Sequence, residues 1–331
     1  LEITNMEAFG NVLYRPTEQQ LWTGRTDGTS AEYLRWHQIM ECINLDSISN
    51  TLENSFVFLG FCCDEGVRRN QGRIGAKDAP EALRKVLAGL PNHMSSETRI
   101  FDAGDVICVA EDMEAAQKEL AKRVSQILEN GGLPIVLGGG HEVTYGHFNG
   151  LKKYSKTKRI GIINLDAHFD IRAVNDNQGN SGTGFYQIFT DAEIENFEVQ
   201  YLAIGIQDIS NTQALFNYAK EKAVQVIKGN EIYAENINKV ISQIDQFSQN
   251  VDDIYLTIDM DVFAAAYAPG VSAPAFNGLI PDPTFAKLFH ELIQLPKLKS
   301  VDFAEVNPLY DIDNRTTKLT ADLIFRLVNN K

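Results

Sequence analysis

Short apolar runs alternate along the chain with longer stretches whose apolar positions recur every three or four residues. The runs are FVFLGF (56–61), RIFDAGDVICV (99–109), LPIVLGG (133–139), RIGIINLDAH (159–168), VQYLAIGI (199–206), VQVIK (224–228), DIYLTIDMD (253–261) and KSVDFAEVN (299–307). They are apolar throughout, which suits strands covered on both faces by helices. PEALRKVLAGL, EDMEAAQKELAKRVSQILEN and PTFAKLFHELIQL between them read as helices. The second stops at Gly131-Gly132, and the third opens on Asp282-Pro283, an N-cap followed by proline at the first helical position. Strand–helix alternation predicts an α/β fold, with a mostly parallel sheet flanked by helices. The pattern places an irregular N-terminal arm at 1–50 and one α/β domain at 51–331.

Composition refines this picture only modestly. Hydrophobic residues make up 44% and charged residues 22%, as in a globular protein. No apolar run is long enough to span a bilayer, and the first sixteen residues lack the pattern of a secretion signal, so a cytoplasmic enzyme is expected. A net charge of −14 argues against nucleic acid as a partner. Cys42, Cys62, Cys63 and Cys108 form no CxxC pair and read as reduced, mostly buried thiols.

The chemistry sits just after three of the runs. IGIIN is followed by Asp166, His168 and Asp170 at alternating positions, which in extended chain project to one side. YLTI is followed by Asp259 and Asp261, and PIVL by three glycines, His141 and Glu142. Taken singly, each motif is weak: aspartate at a strand end often caps the next helix, and a lone histidine is more often structural. Together they bring carboxylates and imidazoles to one edge of a parallel sheet, where ligands bind. So many ionisable groups require a compensating cation. Oxygen-rich ligation with some imidazole favours Mn2+ over Zn2+. Two such ions can activate water for hydrolysis.

GGGHE, NLDAHFD and TIDMDVFAAAYAPGVSAP resemble the three signature motifs of the ureohydrolase (arginase) superfamily, in that family's order. The resemblance implies a three-layer α/β sandwich with a mostly parallel, eight-stranded sheet. It implies two Mn2+ ions per subunit, one on His141, Asp166, Asp170 and Asp259, the other on Asp166, His168, Asp259 and Asp261. It also implies a bridging hydroxide whose proton passes to Asp170. Glu305 matches the carboxylate that pairs with the substrate's cationic nitrogen; the alternative is a cap on the turn before Pro308. Family members form trimers or hexamers.

Within the superfamily the chain is most similar to formimidoylglutamases, which hydrolyse N-formimidoyl-L-glutamate to L-glutamate and formamide. GVRRNQGRIGAKDAP (66–80), Gly140 and Glu142 beside His141, and AAAYAPGVSAP carry this likeness. The expected substrate is therefore a small amidino dicarboxylate. Arg172 either clamps one of its carboxylates or pairs with Asp176, and Arg68, Arg69 and Arg73 are weaker candidates for the clamp. Asn180 and Thr183 either bind substrate or form a glycine-rich turn. The alternatives in function are an arginase, agmatinase or guanidino-acid hydrolase, or a non-catalytic metal-binding member of the family.

Overall fold

All eight apolar runs form strands of one sheet in the computed structural model, which describes residues 12–48, 51–155, 159–176 and 178–330. They are β3 (Ser55–Cys62), β4 (Arg99–Ile107), β5 (Leu133–Leu137), β6 (Arg159–Leu165), β7 (Glu198–Ile206), β8 (Gln225–Lys228), β9 (Asp253–Asp259) and β10 (Leu298–Ala304). Two further strands of two residues each, β1 (Tyr14–Arg15) and β2 (Glu41–Cys42), come from the arm. The order is β1-β4-β3-β5-β10-β9-β6-β7-β8, with β2 also on β4. Every pairing is parallel except β1 with β4.

Residues along each strand point alternately into two apolar layers, so the runs are apolar on both faces except where a buried polar group such as Asp102, Asn164, Thr257 or Asp302 is hydrogen-bonded. Phe58, Ile135 and Leu165 pack into one layer; Val57, Val136 and Ile162 pack into the other. The first layer is completed by α3 (Ala79–Leu87), α8 (Ile237–Gln249), α9 (Pro283–Ile293) and α10 (Arg315–Asn330). The second is completed by α4 (Met113–Glu129), α5 (Val143–Tyr154), α6 (Gly184–Glu195) and α7 (Gln213–Glu221). Each large apolar side chain moved fully out of water contributes about 1.5–3 kcal/mol. The cap expected at Asp282 forms, its side chain accepting from the Phe285 N–H at 2.9 Å; Asp112 caps α4 in the same way, accepting from the Ala115 N–H at 2.9 Å.

The strand order decides where ligands can bind. The chain runs outward from β3 to β4, returns to β5, crosses to β6 and runs outward again through β7 and β8. The last two strands, β9 and β10, then fill the gap between β5 and β6. Four adjacent central strands, β5-β10-β9-β6, thus end together, each leading into a segment with candidate chemistry.

The arm is less irregular than its sequence suggests, because it docks on a buried ion cluster. Arg84 of α3 donates from Nε to Asp102 at 2.7 Å and from Nη1 to Asp105 at 2.6 Å, and all three residues are buried. From the arm, Trp22 donates its indole N–H to Asp102 at 2.7 Å and Thr17 its hydroxyl at 3.1 Å. Residues 1–11 and 49–50 of the arm, with most of the stretch scanned for a secretion signal, lie outside the described residues. The four cysteines are unpaired as expected, but only Cys63 is buried; Cys42, Cys62 and Cys108 are partly exposed.

Removing Arg84 leaves the buried Asp102 carboxylate with only neutral donors and Asp105 with only the more distant Arg15, at 4.0 Å. Arg84→Met is expected to lower unfolding stability by about 3–5 kcal/mol, read from the shift of the denaturant midpoint. An unchanged midpoint would mean that the arm and α3 are held by apolar packing alone.

Candidate metal centre

The segment after β5 turns through Gly138 and Gly139, whose φ values of 74° and 77° suit residues without a side chain. A Cβ on Gly139 would lie 2.5 Å from Phe61. This turn delivers His141 over the strand ends. The segments after β6 and β9 work differently from the alternating strand expected above. β6 ends at Leu165, and the carboxylate of Asp166 accepts the His168 N–H at 2.6 Å. Asp259 accepts the Asp261 N–H in the same way at 2.7 Å. Asx-type turns, which an aspartate two residues before the N–H makes readily, therefore fold both motifs. Asp170 is turned inward by a left-handed backbone, φ 49°. Asn211 pins the Asp166–Asp170 loop, accepting from the Phe169 N–H at 3.1 Å and donating to the Ala167 carbonyl at 2.9 Å.

The result is two groups of donors sharing one carboxylate. His141 Nδ1 lies 2.7 Å from Asp170, 3.1 Å from Asp166 Oδ2 and 3.3 Å from Asp259 Oδ2. His168 Nδ1 lies 3.0 Å from Asp261 and 3.4 Å from Asp166 Oδ1. The two oxygens of Asp166 thus face different groups. Within each group the donor atoms lie within 4.8 Å of one another, as ligands of a single ion do. Asp259, expected in both groups, stands with the first; its other oxygen accepts the Asp261 N–H.

Electrostatics supports a cation here. Burial and the charge of Asp261 push the Asp259 carboxyl well above its ordinary range. Burial opposes charge on His168, yet Asp261 and Asp166 raise it to about 12. His141 is likewise raised by Asp166 and Asp170, against its burial. Without metal, protons on the two imidazoles supply the positive charge that the carboxylates need.

A buried relay beneath the centre fixes how His141 presents itself. Asp302 accepts from the Thr257 hydroxyl at 2.6 Å, and Thr257 Oγ1 lies 3.0 Å from His141 Nε2. The Thr257 proton is committed to Asp302, so its oxygen accepts from Nε2–H, leaving Nδ1 of the neutral imidazole free for a cation. Tyr255 donates to the other oxygen of Asp302, which also lies 2.6 Å from His147 Nδ1.

A cavity opens over the donors. Its wall includes Glu305, Arg172, Asn70, Ser181 and Ser272. Glu305 is 2% exposed, accepts the His141 N–H at 2.8 Å through Oε1, and has no partner at Oε2. Burial pushes its carboxyl up to about 7. Arg172 donates to Asn70 Oδ1 at 2.9 Å and makes no ion pair with Asp176 among the described residues. Asn180 and Thr183 do not line this cavity: Asn180 accepts the Gly182 N–H, and the buried Thr183 hydroxyl bonds Asn180 and Gln187. They build the turn. Arg68 and Arg69 are taken up by Glu65, Glu111 and Glu114, and Arg73 holds the Pro269 and Val271 carbonyls.

The sequence profile of the Arginase family matches residues 54–329. The chain belongs to the arginase family. Among its relatives, a formimidoylglutamase from Geobacillus thermodenitrificans is 44% identical, covering 93% of this chain and 95% of the relative. One from Nocardia farcinica is also 44% identical, with the same coverage. The solved formimidoylglutamase of Bacillus subtilis shares the fold, with TM-score 0.79 at 21% identity, 92% of this chain and 95% of that one. A Trypanosoma cruzi formiminoglutamase variant with Mn2+ superposes with TM-score 0.74 at 24% identity, 86% of this chain and 96% of that one. A family fold with a shared carboxylate between two donor groups makes this a two-metal centre.

Asn70, Ser181, Ser272, Asn211 and the Thr257–Asp302 relay were not singled out from sequence. Asn70 lies within GVRRNQGR, Thr257 and Ser272 within TIDMDVFAAAYAPGVSAP, and Asp302 within KSVDFAEVN, but nothing in those segments marks these residues as part of the site.

Metal must displace the imidazole protons, so affinity is expected to rise with pH and fall as the medium is acidified. Calorimetric titration with Mn2+ in buffers of different ionisation enthalpy should report net proton release near pH 7. Binding without proton release would mean that the imidazoles are already neutral in the metal-free protein.

Proposed function

We propose that this chain hydrolyses N-formimidoyl-L-glutamate to L-glutamate and formamide at a centre holding two Mn2+ ions. The observation that carries the reading is Arg172, a guanidinium with no carboxylate partner among the described residues, in the cavity that holds the metal donors and Glu305. A substrate with an amidine at one end and carboxylates at the other satisfies both walls. The relatives named formimidoylglutamase at 44% identity support the same assignment.

His141, Asp166, Asp170 and Asp259 would hold one ion, and Asp166, His168 and Asp261 the other. The donors are mostly carboxylate oxygens, which suits a hard divalent ion such as Mn2+. When bound, the pair supplies the Lewis acidity that activates water and polarises the amidine. Glu305 faces the amidine with its unpaired Oε2 and keeps that group cationic, hence electrophilic at carbon. Asp170, at the exposed side of the cluster, receives the proton of the attacking water and passes it to the departing glutamate nitrogen. Arg172 holds a substrate carboxylate by charge-assisted hydrogen bonds, which fixes the amidine carbon relative to Asp170.

With the manganese-loaded protein, formiminoglutamate should yield formamide and glutamate, while arginine, agmatine and guanidinobutyrate release no urea. Urea at a comparable kcat/KM from any of these would overturn the substrate while leaving the two-metal centre standing. Arg172→Ala should raise KM about ten- to a hundred-fold, the value of one or two charge-assisted hydrogen bonds. Glu305→Gln should instead lower kcat by roughly 10²–10³, as loss of a preorganised transition-state charge does. A Glu305→Gln variant changed only in KM would place that carboxylate in ground-state binding.

A further inference from the structure

We infer that Asn70 is a positioning and specificity-determining residue, holding Arg172 over the metal centre without neutralising it. The inference rests on the reading of Arg172 as the holder of a substrate carboxylate. Asn70 follows the short helix α2 (Glu65–Arg69) and closes it, its N–H donating to the Gly66 carbonyl at 2.9 Å. Its amide bridges two walls of the cavity: Oδ1 accepts from Arg172 Nη1 at 2.9 Å, and Nδ2 donates to Ser181 Oγ at 3.0 Å. A guanidinium can only donate, so the amide oxygen faces Arg172 and the NH2 faces Ser181. Arg172 is thereby held by one of its five N–H groups, and the others stay available to a ligand.

The surroundings show that α2 is anchored to deliver this contact. Buried Glu142 accepts the Gly66 N–H at 2.9 Å, and Arg69 ties the helix to the Gly179 carbonyl at 3.1 Å. Arg68 and Arg69 already have carboxylate partners, in Glu65, Glu111 and Glu114. The nearest polar contact of Arg172, by contrast, is neutral. A carboxylate at position 70 would orient the guanidinium equally well, and would then compete with an anionic substrate for its charge. The choice of amide over acid is what leaves the cavity selective for a carboxylate-bearing amidine.

The test compares Asn70→Asp and Asn70→Ala with Arg172→Ala, measuring KM and kcat for formiminoglutamate, inhibition by glutamate, and bound Mn2+. Asn70→Asp keeps acceptors for Arg172 and Ser181, so a merely structural bridge would leave it silent. The inference expects KM and the glutamate inhibition constant to rise together, about ten-fold or more, with kcat and metal content within two-fold of wild type. Asn70→Ala should raise KM less, and its effect should vanish when combined with Arg172→Ala. If Arg172→Ala raises KM and Asn70→Asp does not, the role of Asn70 is overturned and the carboxylate clamp survives. If Arg172→Ala itself leaves KM unchanged, the clamp fails and Asn70 fails with it. A loss of bound Mn2+ in Asn70→Asp also overturns the inference, because the effect would then run through the metal loops.

Discussion

The structure turns on the crowding of carboxylates at the ends of its central strands. Asp166, Asp259 and Asp261 are almost wholly buried, with Asp170 beside them, and these carboxylates favour the charged form of the two imidazoles among them. Such a cluster is tolerable only with positive charge at its middle, and the surrounding fold prevents the carboxylates from separating. The parallel sheet fixes the backbone at the base of each segment, and short turns fix the side chains above it. Holding these like charges together gives two donor groups, joined by Asp166, that are suited to cations.

Around this charged centre the polar groups are ordered in layers. The Asp302–Thr257 pair sits within the sheet and sets the imidazole of His141 through a single shared hydroxyl. Above the donors, Glu305 spends one oxygen on the His141 N–H and keeps the other open. The same residue therefore locks the His141 loop and leaves an unpaired carboxylate oxygen at the cavity.

The outer wall is built from segments that are far apart in sequence. Helix α2, the loop around Ser181 and the loop around Ser272 meet there, held by arginine contacts to carboxylates and carbonyl oxygens. Among these arginines Arg172 meets a neutral amide and, within the described residues, no carboxylate, whereas Arg68 and Arg69 pair with Glu65, Glu111 and Glu114.

Much of this protein was legible from local pattern. Apolar runs gave all eight long strands, because a strand buried on both faces needs no polar position. The candidate donors stood out because aspartates and histidines after such strands have few structural uses in that number, and the structure gathers them into two groups that could each hold an ion. The geometry that gathers them was misread: Asx turns and a left-handed Asp170, not strand alternation, bring the carboxylates together. Local sequence shows which residues follow a strand, but not where the strand ends within them. Tertiary structure alone decided which polar residues reach the cavity. Thr183 and Asn180 spend their hydrogen bonds within a turn, while Asn70 arrives from more than a hundred residues away to meet Arg172. Hydrogen-bond partners at such separations depend on strand order and loop packing, which no local pattern encodes.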